Sequence, residues 1–207
     1  MDDQDARVLK YCWDLCNKYS ATLTFHPGKL IPGLSEADGA FRWSDRLIEV
    51  GRDNPDWSYV LLHEVMHLCQ CAEGTQVFNE AYGSNEIEAW LKGKRLWDRT
   101  VRKMIWNTAR LEMDCEARVI KALSELNIPA SEVEAYTLLA NMYVLKHGCI
   151  YRYRQWPVSN PVSDDASQEE YSKYYGDIKT DGLYEFNNLD ELLAVSDKRH
   201  WKLEGAP

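Results

Sequence analysis

Nowhere in the 207 residues is there an uninterrupted apolar run of the roughly 18 residues that a membrane-crossing helix needs. The opening residues, Met1-Asp2-Asp3-Gln4-Asp5, are acidic where a secretory leader is basic and then apolar. The expectation is a soluble, intracellular chain. No two of the six cysteines (Cys12, Cys16, Cys69, Cys71, Cys115, Cys149) stand in a C-x-x-C pair, and they are too sparse for a disulfide scaffold. Reduced, buried thiols are expected. Basic residues are the minority, 24 Lys and Arg against 33 Asp and Glu, and the net charge of -9 argues against non-specific binding to nucleic acid or to an anionic membrane. Internal repeats and low-complexity tracts are missing too.

What is there is ordinary globular material, 45% hydrophobic and 28% charged, with eight Trp and twelve Tyr to fill a core. The length suits one domain with an appended segment. Charge is unevenly spread. Lys92, Lys94, Arg95, Arg99, Arg102 and Lys103 against Asp98 give a local +5, which reads as a solvated helix face, while the segment from Asp164 to Glu191 carries -7.

Apolar residues at Val8, Leu9, Cys12, Leu15, Cys16 and Tyr19 recur at helical spacing, and short extended pieces follow at 22–25 and 46–50, so a small sheet is expected. Asn54-Pro55 predicts the start of a helix that runs to about Cys71 and stops near Gly74. A long apolar stripe runs from Ile87 to Ile105, a further helix from about Asn107 to Leu126, and a last one from the capping box at Ser131 to Gly148. The fold class is therefore α+β, mostly helical. Residues 1–156 form the main domain, and 157–207 an irregular, acidic, Tyr-rich extension packed on it.

The chemistry sits in Val60-Leu61-Leu62-His63-Glu64-Val65-Met66-His67-Leu68-Cys69, which contains H-E-x-x-H. On a helix, positions i and i+4 share a face, so His63 and His67 can direct ring nitrogens at one metal ion, and Glu64, rotated by roughly 100°, can reach a water bound to it. The geometry suits zinc. A catalytic zinc site needs a third protein ligand and keeps a fourth position for water. Downstream, Glu112 and Glu116 continue the inward stripe of Val119, Ile120, Leu123 and Leu126, where two carboxylates need a cation or hydrogen-bond donors. A metal would supply the first; Arg118 and its neighbours, in a surface ion-pair cluster, would supply the second.

H-E-x-x-H followed by E-x-x-x-[D/E] on a later helix resembles the gluzincin branch of zinc metallopeptidases. The resemblance implies that Glu112 is the third ligand and Glu116 the acid that supports a ligand histidine, with Glu116 standing where Asp is usual. The strings Leu-Glu-Met-Asp-Cys-Glu, Ala140-Asn141-Met142-Tyr143 and Arg154-Gln155-Trp156 are similar to those of uncharacterised bacteriophage-encoded metallopeptidases, over roughly residues 55 to 160. This implies a compact zincin-like fold, and the host cytoplasm as the compartment if the gene is a phage's. Glu73, six residues after His67, is a rival ligand by the metzincin pattern, although Gln70 occupies the position where that pattern turns on a glycine. Tyr143 is the candidate phenol for stabilising an oxyanion, against its reading as a core aromatic, and His147 reads as a core histidine.

The expected function is a zinc-dependent peptide-bond hydrolase acting on a peptide or protein, with Zn2+ as cofactor, a metal-bound water as nucleophile and Glu64 as general base. By fold analogy the strand near 46–50 would pair with an extended substrate. The alternative is a phage binding or assembly protein that zinc merely stabilises. Hydrolysis of a non-peptide amide uses the same residues.

Overall fold

The computed structural model describes residues 3–33, 37–82, 86–157, 178–199, 201 and 203. It is mostly helical with one three-stranded sheet: α1 (Asp3–Tyr19), β1 (Thr22–His26), β2 (Gly39–Arg42), β3 (Leu47–Gly51), α2 (Trp57–Glu73), α3 (Gln76–Ala81), α4 (Glu86–Leu91), α5 (Asp98–Glu125), α6 (Ala130–Tyr153) and α7 (Leu189–Ser196). Among the described residues no helix is long and apolar enough to cross a membrane. The chain divides into two compact units, Met1–Asn79 with Cys115–Ala130, and Glu80–Asp114 with Ser131–Pro207.

In the first unit the sheet order is β1-β3-β2, with β1 parallel and β2 antiparallel to β3. Period-2 alternation turns Ile48 and Val50 into the core at 0% exposure, against α2. Gly39 lies opposite Val50 and shares that face. A Cβ there would meet Val60 Cγ1 at 2.4 Å and Glu64 Oε1 at 3.2 Å, so glycine lets β2 lie directly on the motif helix. Cys12 and Cys16 face inward from α1, which packs on α2.

The start of α2 departs from expectation. Asn54 Oδ1 accepts the Asp56 N–H at 2.9 Å, an Asx turn, and the helix begins at Trp57 with Asp56 as its cap. Its end is as read: Gly74 takes φ 61°, and Thr75 N–H bonds Gln70 O at 3.1 Å. Between them most of α2 is buried.

A second correction concerns the strand at 46–50. As β3 it is flanked on both sides, so it has no edge to offer a substrate. The short Gly-Ala-Phe-Arg strand β2, which carries too little alternation to read from sequence, occupies that place. Gly51 N–H bonds Asp38 O at 2.8 Å, so the alternating ladder turns the backbone groups of Gly39 and Phe41 to the other edge of β2. No described strand pairs there.

The apolar stripe expected from Ile87 to Ile105 is interrupted at 92–97, between α4 and α5, and α5 then runs unbroken past the expected helix start at Asn107. Asn107, read as a helix start, lies mid-helix and donates from Nδ2 to Glu80 O at 3.0 Å. The residues from Leu189 onward, expected to be irregular, form α7. Asn188 caps it by accepting the Glu191 N–H at 3.0 Å, and Leu189, Leu192 and Leu193 pack with Val101, Ile105, Val144 and Ile150. Buried Asn141 holds the segment before it, donating to Lys179 O and Gly182 O and accepting from Tyr184 N–H. The part of the expected Tyr-rich extension that holds Tyr171, Tyr174 and Tyr175 lies outside the described residues.

Where α7 meets α6, a Cβ on Gly148 would lie 2.5 Å from Ser196 Cβ. Gly148→Ala gains about 1 kcal/mol of helix propensity, but overpacking against an atom so close to the backbone costs about 1–3 kcal/mol. We predict a net loss of stability in urea unfolding, relieved by Ser196→Gly in the same chain. All six cysteines are free. Burial holds the Cys16 and Cys69 thiols up at about 11 and Cys149 at about 12, and raises Cys12 well above the usual range. Iodoacetamide at pH 8 should therefore label the part-exposed Cys71 first and all six only after unfolding, as read by intact mass.

Candidate metal centre

Residues His63, Glu64 and His67 project from α2 in the first unit, and helical spacing brings the two imidazoles together with ring planes 85° apart and Nε2 atoms separated by 3.1 Å. The other nitrogen of each ring has its own partner. His63 Nδ1 lies 3.2 Å from Glu116 Oε1, and His67 Nδ1 lies 2.8 Å from Gln70 Oε1. A carboxylate oxygen and an amide oxygen accept, so a neutral ring places its proton on Nδ1 and turns the lone pair of Nε2 toward the other ring. Two lone pairs 3.1 Å apart repel unless something positive lies between them. Two nitrogens at 2.0–2.1 Å from one tetrahedral ion stand about 3.3 Å apart, so the donor set fits such an ion with little movement.

Surroundings strengthen the effect. Gln70 is 0% exposed, Glu116 3% and His67 6%, so the polar atoms have little water to bond. Glu64 is half-buried, its carboxylate lying over Gly39 of β2.

His63, His67 and Cys115 form a group that could hold a metal ion. The thiol was missed in sequence reading because Cys115 fell outside the carboxylate stripe. Its Sγ is 3.7 Å from His63 Nδ1 and donates to His63 O at 3.4 Å, and it lies within 4.8 Å of a ring nitrogen of each histidine. Gln70, which stands where the metzincin pattern has glycine, is a second site residue that this pattern does not reveal. A polar residue three after the second histidine on the same buried helix is the signal that could have found it.

Of the other expected residues, Glu112 is buried on α5, one turn before Glu116, and does not belong to the His63, His67 and Cys115 group. Glu73 is bonded by Arg118 at 2.7 Å. In the second unit, Tyr143 packs edge-on to the ring of buried His147, which also contacts Trp156. Burial pushes His147 below the usual imidazole range, and the charge of Glu112 opposes that shift. No protein-family model, curated protein or solved structure matches the chain.

Outer-sphere partners of metal-bound histidines typically carry 10–100-fold in affinity. Gln70→Leu and Glu116→Ala should each weaken metal binding by about that factor in a competition titration with a chelating dye. Nitrogen-15 shifts of the metal-free Gln70→Leu protein should show His67 losing its fixed Nδ1–H tautomer.

Proposed function

We propose that the chain is a zinc-dependent peptide-bond hydrolase whose reacting centre is built on α2. The observation that carries this reading is the facing pair of Nε2 atoms, 3.1 Å apart, each ring backed by an acceptor at its Nδ1. Two imidazoles with a carboxylate suit zinc better than calcium or magnesium, which prefer oxygen donors. Glu112 is the third ligand of this reading, leaving a fourth position open. Zn2+ bound there would lower the pKa of its water to about 7 and polarise a scissile carbonyl.

The chain's own residues do the rest. Glu64, adjacent to His63 and turned away from the imidazole face, accepts the proton of the attacking water and hands it to the leaving amine. Glu116 and Gln70 keep the imidazoles in the ligating tautomer. An extended peptide fits the open edge of β2, where the backbone groups of Gly39 and Phe41 face outward and Gly39 adjoins Glu64.

One observation favours the second reading, a binding or assembly protein that zinc stabilises. Cys115 lies in the same group as the histidines, and a thiolate ligand would help to close the site. Cobalt substitution separates the two, because thiolate ligation gives an intense sulfur-to-cobalt charge-transfer band.

The decisive variant is Glu64→Gln. It should keep about one zinc per chain and an unchanged melting temperature while hydrolysis falls by about 10²–10⁴-fold. Substrates are found by sequencing new N-termini in a bacterial lysate treated with the zinc-loaded protein. Equal cleavage by Glu64→Gln, or none by the zinc-loaded wild type across a broad peptide library, would leave the binding protein ahead. Zinc lost from Glu73→Ala and kept by Glu112→Ala would refute the ligand set.

A further inference from the structure

The basic run from Lys92 to Lys103 divides into two groups. Lys92 lies 3.6 Å from Glu88, Lys94 bonds Glu86 at 2.9 Å and Arg102 bonds Asp190 at 2.6 Å. Arg95, Arg99 and Lys103 are exposed and form no ion pair with a described residue. Amid them Trp97 is 85% exposed, the most of any large apolar side chain described.

The backbone that carries this indole is held in place. Gly93, at φ 109°, closes α4, with Gly93 N–H on Trp90 O at 3.0 Å and Lys94 N–H on Ala89 O at 2.8 Å. The Arg154 guanidinium lies over the Trp90 ring and donates to Trp90 O at 2.5 Å and to Lys94 O at 2.8 Å. At the start of α5, Trp97 O accepts the N–H groups of Thr100 and Val101. The braced loop thus presents the Trp97 indole and Arg95 to solvent, the first turns of α5 present Arg99 and Lys103, and little backbone ordering entropy remains to be lost on binding.

We propose that Trp97, Arg95, Arg99 and Lys103 form a docking surface for an acidic, apolar peptide segment of a partner protein. Trp and Arg are the residues that most often dominate binding at such surfaces. The same part of α5 already holds a segment of that chemistry within the chain: Asp190 bonds Arg102 while its neighbours Leu189, Leu192 and Leu193 pack with Val101 and Ile105. The net charge of -9 narrows the choice further. A long polyanion crossing the patch meets repulsion beyond it, where a short acidic segment does not, since screening confines each interaction to about 8 Å. A single indole also falls short of the apolar face with which a helix lies on a membrane.

The test uses the full chain and fluorescence anisotropy with a short fluorescein-labelled peptide of Glu, Asp, Leu and Phe. An all-Glu peptide, oligothymidylate, and phosphatidylcholine–phosphatidylglycerol vesicles serve as comparators. The expected result is that the mixed peptide binds tightest, and that Trp97→Ala and the pair Arg95→Glu with Arg99→Glu each weaken it by about tenfold or more. Melting temperatures should not move, because these side chains are exposed. A Lys-for-Glu version of the peptide should bind the charge-reversed chain better than it binds the wild type. No binding of the mixed peptide, binding indifferent to both variants, or tighter binding of the oligonucleotide or vesicles through the same residues would each overturn the proposal. None of these outcomes depends on whether the chain binds zinc or hydrolyses peptides.

Discussion

Two imidazole nitrogens facing each other at 3.1 Å with both far sides occupied are the constraint on which the first unit is organised. With both rings neutral and protonated on Nδ1, two lone pairs at that distance repel, and a proton or a cation between them relieves the repulsion. Leu61, Leu62, Val65 and Leu68 anchor α2 at 0% exposure, and the helix repeat then fixes the separation of His63 and His67. The sheet supports the opposite side of Glu64, and Gly39 brings the backbone of β2 against it. A cation between the nitrogens would turn the local repulsion into coordination while leaving every outer hydrogen bond in place.

The parts of this arrangement differ in how visible they are in the sequence. A fixed i, i+4 spacing on an apolar helix is a local property, so His63, Glu64 and His67 could be read directly. Glu112 and Glu116 were legible as inward-facing because they continue a stripe ending in Val119 and Leu123, both 0% exposed. Which carboxylate meets which histidine depends on how α5 lies against α2, and no periodicity encodes that. The 3.2 Å approach of Glu116 to His63 is knowledge that only coordinates supply.

Fold elements failed to read where one local signal imitated another. Asn107 looked like a cap because Asn is common there, yet tertiary demand put its side chain on Glu80 O within an unbroken helix. Strand β2 has four residues, two of them Gly and Ala, which leaves almost nothing for an alternation test. The helix α7 was hidden by its shortness, although Asn188 and the run Leu189, Leu192 and Leu193 carry both a cap and a helical stripe.

The position of Cys115 bears on whether a metal site here is open or closed. Its sulfur sits beside His63 Nδ1 and donates to the carbonyl of the same residue, so it approaches the ring from the side that Glu116 also occupies. One donor atom from each of His63, His67 and Cys115 falls within 4.8 Å of the other two, so the sulfur lies within reach of an ion that the histidines hold. An ion that takes Nδ1 of His63 displaces that nitrogen's bond to a carboxylate that is 3% exposed. Losing one charge-assisted bond of a buried carboxylate costs about 1.5–3 kcal/mol. A thiolate would gain that back only by strong coordination, and the Cys115 thiol already has an acceptor in the His63 carbonyl. An ion that recruits the sulfur as a thiolate takes away the proton that now bonds His63 O, so a closed site trades that bond for coordination and an open site keeps it.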